Sequence, residues 1–120
     1  MKSIILTVCL FAVIQMTNAQ EKEKLSPEQK SENFTNHLDS KLFLTDEQEK
    51  TVYDIQLRSV LKAEELRKNT RLTKEEKKTA VQSLHKSTSD EIKNVLDSNQ
   101  KIKFDEIQAK REEKKKEKVK

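Results

Sequence analysis

The 120-residue chain sorts its apolar residues into two regimes. Ile4 to Ile14, IILTVCLFAVI, is a near-continuous apolar run broken only by Thr7. Further on, apolar residues return at intervals of three and four, the spacing that puts side chains on one face of an α-helix. Phe34 and Leu38 form the first such face, with His37 beside them. In the next segment Val52, Ile55, Ala63 and Leu66 form one arc, and Tyr53, Leu57, Val60 and Leu61 an adjacent one. Together they make a stripe far wider than the roughly 100° of an ordinary surface helix, so this helix is expected to be covered on two sides. Val81, Leu84, Thr88, Ile92 and Val95 then make a single narrow stripe. Ile102, Phe104 and Ile107 are the last apolar group, and beyond Ala109 only Val119 follows.

The boundaries of these segments carry their own chemistry. Four similar strings recur: LSPEQ at Leu25–Gln29, LTDEQ at Leu44–Gln48, LTKEE at Leu72–Glu76 and LDSNQ at Leu96–Gln100. Each places Ser, Thr or Asp three residues before Gln or Glu, the spacing of a capping box. There the first side chain accepts a bond from a free N–H of the first turn, and the second reaches back to the cap N–H. The pairs are Ser26 with Gln29, Thr45 with Gln48, Thr73 with Glu76 and Asp97 with Gln100. Pro27 falls at a first helical position, where its missing N–H costs nothing. Glu28, Asp46, Glu47 and Glu75 place negative charge against the positive ends of helix dipoles. The leucine before each cap is expected to dock the incoming chain on a neighbouring helix.

Four starts predict four helices: Pro27–Ser40, Asp46–Lys68, Lys74–Leu96, and one from about Ser98 that frays into a charged tail. The fold class is all-α. No period-two alternation or hairpin turn signal competes, and a chain without glycine suits long helices joined by capped turns. The short NTRLT linker, Asn69–Thr73, predicts that the second and third helices form a long antiparallel hairpin.

Composition changes this picture at the ends. Lys2, the apolar run and the small-residue ending TNA at Thr17–Ala19 have the form of a secretory signal, with cleavage expected after Ala19. The run is shorter than the roughly 20 residues a membrane span needs, so no stable membrane insertion is expected once it is removed. Cys9, the one cysteine, would leave with it, and no disulfide or thiol-based metal site would remain. From Gln20 onward 22 of 101 residues are Val, Ile, Leu or Phe, just above the level below which chains fail to build a core. The domains expected are therefore residues 1–19 as signal, 20–109 as a thin-cored helical unit completed by a second copy or a partner, and 110–120 as a basic tail. That tail, KREEKKKEKVK, carries seven Lys/Arg against three Glu. It is either a solvated helix end or an electrostatic lure for acidic partners or membrane headgroups. Nucleic acid is not expected, because no aromatic residues interleave with the lysines as stacking platforms.

Chemistry for catalysis is sparse. His37 and His85 are far apart in sequence, and neither has a nucleophile and an orienting acid nearby. No HExxH, phosphate-binding loop or dinucleotide fingerprint occurs. The expectation is no enzyme, no cofactor and no metal, with a shared metal site at His37 or His85 as the alternative.

The full motif LTDEQ at Leu44–Gln48 and the looser LDSNQ at Leu96–Gln100, followed by KIKFDEI, resemble the paired LTxxQ motifs of the Spy/CpxP family of periplasmic proteins. Asp97 stands where that family usually has Thr or Ser. The resemblance covers about Leu42 to Glu113. It implies an all-helical fold that pairs into a thin, curved antiparallel homodimer, and ATP-independent chaperone activity toward unfolded or partly folded clients during envelope stress. It makes Leu44, Thr45, Gln48, Leu96, Asp97 and Gln100 a helix-capping motif rather than a catalytic one. The surplus arc of the second helix, Tyr53, Leu57, Val60 and Leu61 with Arg58 and Arg67 nearby, is the expected surface for clients or for the dimer seam. A regulatory adaptor on an envelope stress sensor, or a metal-responsive sensor of the same fold, are the other functions to weigh.

Overall fold

The computed structural model describes residues 24–119. The expected signal segment and its expected cleavage after Ala19 lie outside the described residues. Those described form four helices and no strand: α1 (Pro27–Leu42), α2 (Asp46–Lys68), α3 (Lys74–Val95) and α4 (Ser98–Val119).

All four capping boxes close. Ser26, Thr45 and Thr73 each accept from the backbone N–H of the third helical residue at 3.1 Å, while Gln29, Gln48 and Glu76 accept from the cap N–H at 2.9–3.1 Å. In the fourth box Asp97 accepts from the Gln100 N–H at 2.8 Å and the Gln100 side chain accepts from the Asp97 N–H at 3.0 Å. Local chemistry therefore fixes where the helices begin. The C-terminal ends are set less directly: α1 runs two residues past the expected Ser40, to Leu42. It stops at Phe43, which takes the left-handed conformation, φ 53° and ψ 62°. Glycine normally fills such a position because a Cβ costs about 1 kcal/mol there. Here Asp39 holds the turn instead: its carbonyl accepts from the Phe43 N–H at 2.8 Å and its carboxylate from the Leu44 N–H at 2.9 Å.

α4 continues as helix through the charged segment to Val119, where the sequence pattern suggests fraying at Lys110. Lys, Glu, Arg and Gln all sit near the top of the helix-propensity order, and no Gly or Pro interrupts them. Every residue from Lys110 to Lys118 is exposed, so this stretch is helix without a packed face.

α1 packs along α2, α2 along α3, and α1 also meets α4. α2 is thus flanked on two sides and buries Val52, Ile55, Ser59 and Ala63, while its second arc, Tyr53, Leu57, Val60 and Leu61, is not buried as its double stripe led one to expect. The pairs that meet across α2 and α3 run Arg58–Glu91, Ser59–Thr88 and Arg67–Lys77, one set of numbers rising as the other falls. Between α1 and α4, Lys103 lies over the Phe43 ring at 5.8 Å and Arg111 over Phe34 at 5.4 Å. Between α3 and α4, Lys93 pairs with Asp105 at 2.9 Å and Gln108 donates to the Ser89 hydroxyl at 3.0 Å.

The hydrophobic core sits at one end of this arrangement. Leu38, Leu42, Leu44, Val52, Ile55, Ile92, Leu96 and Phe104 form a single buried cluster, with Phe34, Val95 and Ile107 against its edge. Two of the four pre-cap leucines, Leu44 and Leu96, dock as expected; Leu72 is half-buried and Leu25 stays 48% exposed. Away from that cluster the contacts are small and polar. Ser31 and Thr35 are buried on α1, each hydroxyl donating to the carbonyl one turn back, at 2.8 and 2.7 Å. Thr88 donates to the Leu84 carbonyl at 2.7 Å, and its hydroxyl lies 2.9 Å from that of Ser59.

Candidate functional site

The two LTxxQ-like strings, far apart in sequence, meet in space. Gln48 and Gln100 pair through their amides: the Gln48 Nε2 donates to Gln100 Oε1 at 2.8 Å, and the Gln100 Nε2 donates to Gln48 Oε1 at 3.1 Å. Each amide has one donor left, and each uses it on a helix end. Gln48 donates to the Val95 carbonyl at 3.1 Å, at the close of α3, and Gln100 to the Leu42 carbonyl at 3.2 Å, at the close of α1. The last carbonyls of a helix lack partners within it, so these bonds satisfy groups that would otherwise be stranded beside a hydrophobic cluster. Each Oε1 also serves its own capping box. Both amides therefore use both donor protons and accept two bonds. Among the described residues no buried side-chain nitrogen or oxygen lacks a partner.

The clasp has an internal symmetry. Gln48 and Gln100 are 52 residues apart. The same offset relates Leu44 to Leu96, Thr45 to Asp97, Val52 to Phe104 and Ile55 to Ile107, and each of these apolar residues belongs to the core or its edge. Two helix–cap–helix units meet at their corners, and the shared capping chemistry is what faces inward. Sequence reasoning identified the boxes, but not that Leu42 and Val95 would supply the carbonyls they reach or that Phe104 would be the largest fully buried side chain. The 52-residue offset was the available signal.

The surplus arc of α2 is placed differently. Tyr53, Leu57 and Val60 are half-buried and Leu61 is 46% exposed. Arg58 and Arg67 are exposed on the same helix. Arg58 makes a surface ion pair with Glu91 at 3.4 Å, and the Arg67 carbonyl accepts from the Lys77 ammonium at 2.8 Å. The arc and the clasp are therefore separate features: one an uncovered surface, the other a closed joint. Exposed apolar side chains also occur at the clasp end, where Phe43 is 78% and Ile102 61% exposed.

Among the described residues three titratable groups depart from their ordinary ranges. The hydrogen bond that a protonated Glu49 carboxyl donates to the Asp39 carboxylate, and then the like charge of Asp39, hold the Glu49 carboxyl up. The backbone and hydroxyl of Thr73 hold the Glu76 carboxyl down, which is the capping box seen as an acidity. Partial burial, then repulsion from Lys115 and Arg67, keep His85 below the usual histidine value. Among the described residues no group of three or more His, Cys, Asp or Glu gathers to hold a metal, and His37 and His85 lie on different helices, α1 and α3. Among the same residues no helix is long and apolar enough to cross a membrane. The chain matches no family model, no curated protein and no solved structure.

Proposed function

We propose that this protein is a non-enzymatic, chaperone-like binding protein of the bacterial periplasm, holding unfolded or partly folded polypeptides without a nucleotide. The observation that carries this reading is the outer arc of α2, where Leu61, Leu57, Val60 and Tyr53 present apolar surface beside the exposed cations Arg58 and Arg67. Scattered apolar contacts hold an extended chain weakly and without demanding a sequence, and flanking charge speeds the encounter. Weak binding releases by itself, so no energy source is needed. The signal-like N-terminal run supports export, and the LTxxQ resemblance supports the functional class.

In this reading α2 and α3 act as an antiparallel hairpin, supported by the opposed order of their paired residues. Two copies form a thin, curved homodimer that covers apolar surface a single copy leaves open. The test is direct. Equimolar protein should slow the aggregation of an unrelated unfolding client, and Leu61→Ser with Leu57→Ser should abolish that effect while helicity is unchanged. A protein that ignores generic clients but binds one sensor domain with fixed stoichiometry would favour the adaptor reading instead. Sedimentation equilibrium tests the dimer: a compact monomer at micromolar concentration rejects it.

A further inference from the structure

A second surface, which shares Val60 and Arg67 with the edge of the apolar arc, gathers positive charge. A shallow cleft of about 260 Å³ opens over α2 between α1 and α3, and Lys30, Arg67 and His85 line it together with Ser59 and Gln56. These three basic residues come from α1, α2 and α3. The charged end of α4 adds a fourth. Contacts between α1 and α4 step in opposite directions, from Phe43 with Lys103 to Phe34 with Arg111. One further turn along each helix leads to Lys30 on α1 and Lys115 on α4. The repulsion that Lys115 exerts on His85 agrees with this approach of α4 to the rim of the cleft. Opposing this set, Glu64 approaches Lys30 at 3.8 Å, both side chains being partly exposed, which makes a weak surface pair. Among the described residues Arg67, His85 and Lys115 make no ion pair with a carboxylate. Like charges brought together from four helices disfavour one another, and an anion placed among them removes that cost.

We propose that the cleft where Lys30, Arg67, His85 and Lys115 converge binds a compact multivalent oxyanion of the phosphate class. The fork of Arg67 can take two oxygens of one phosphate, while the lysines act as point charges around it. The Ser59 and Gln56 side chains at the floor supply neutral polar groups. His85 has a defined part. It lines the cleft with Lys30 of α1 and Arg67 of α2 and feels the charge of Lys115 on α4, and a bound anion would favour its protonated form. Free polyphosphate and the phosphate headgroups of an anionic membrane present the same chemistry, and the experiment separates them.

Purified protein is titrated with inorganic tripolyphosphate at low salt, by calorimetry and by NMR of the His85 imidazole. The expected result is one saturable site, with the His85 titration midpoint moving upward on binding. Arg67→Gln and Lys115→Gln should each weaken binding by about tenfold, the worth of one charge-assisted contact. Lys118→Gln and Lys50→Gln, equal in charge change but not at the cleft, should leave it within about twofold. Sedimentation with phosphatidylglycerol vesicles, against phosphatidylcholine controls, identifies the source: loss in the same two variants assigns headgroups as a ligand, and absence of vesicle binding assigns the free anion. The side chains substituted are exposed, so circular dichroism should be unchanged. No saturable binding to either probe, or equal loss in Lys118→Gln and Lys115→Gln, overturns the proposal, because diffuse charge rather than a built cleft would then account for the attraction.

Discussion

The two ends of the helical body are held by different means. At the corner where α1 meets α2 and α3 meets α4, large aliphatic and aromatic side chains close around a pair of glutamines with every bond made. Toward the other end, near the Asn69–Thr73 turn, the helices meet through Ser31, Thr35, Ser59, Ala63 and Thr88, and Leu84 and Val81 are only half-covered. Small residues let backbones approach closely but bury little apolar area, and area sets the stabilisation at about 25 cal/mol per Å². The difference teaches where this chain puts its stability and where it leaves surface free. The clasp end fixes the architecture. The thin end and the outer face of α2 carry the apolar arc and the cationic cleft, which suits binding because neither is committed to the core.

The largest effect should come from the clasp end. Phe104 is 1% exposed, and Phe104→Ala should cost about 4 kcal/mol in urea unfolding, a large share of the stability of a domain this small. An equally large loss from Ala63→Gly at the thin end would break the comparison. Next is the contrast between two chemically similar capping boxes. Gln100→Ala should cost about 2 kcal/mol, because it strands the Leu42 carbonyl and half of the Gln48 amide beside the core. Gln29→Ala, in the exposed first box, should cost about 0.5 kcal/mol, since water replaces the lost bond. If the two substitutions cost the same, the inter-helix amide pair adds nothing to the caps. In the thin half, Thr88→Val removes one hydroxyl but keeps the volume, and should cost about 1 kcal/mol, measured against Ser59→Ala in a double-mutant cycle.

The smallest effect is electrostatic. Glu76 has its folded pKa below the unfolded value, so its cap favours folding above the unfolded pKa, and that contribution is lost as pH falls through the folded pKa. Glu49 has the opposite sign: its raised folded pKa means that protonation relieves the native state as the medium turns acidic. Glu76→Gln should therefore flatten the acid limb of stability, and Glu49→Gln should steepen it. Unfolding midpoints across the carboxylate range check both signs.

Legibility followed distance along the chain. The starts of all four helices were readable because a capping box lies within four residues, and a bond at that range forms wherever the helix does. The width of the α2 stripe told of two neighbours for the same reason: periodicity is a local count. The end of α1 was not readable. Phe43 adopts a conformation its side chain disfavours, and only Asp39 with the packed corner around Leu42 and Leu44 holds it there. The candidate surfaces divide in the same way. The α2 arc could be listed from the helical repeat, whereas Lys30, Arg67 and His85 share no sequence neighbourhood and line one cleft only when three helices converge.

By itself, then, the sequence determined an all-helical chain and the first residue of each helix, since those depend on bonds and spacings within a few turns. Only the tertiary structure decided that Gln48 and Gln100 cap each other's partner helices, that the core gathers at one end, and that scattered cations share one cleft. Those outcomes depend on which carbonyl or charge lies across a gap of many residues, and no local rule fixes that distance.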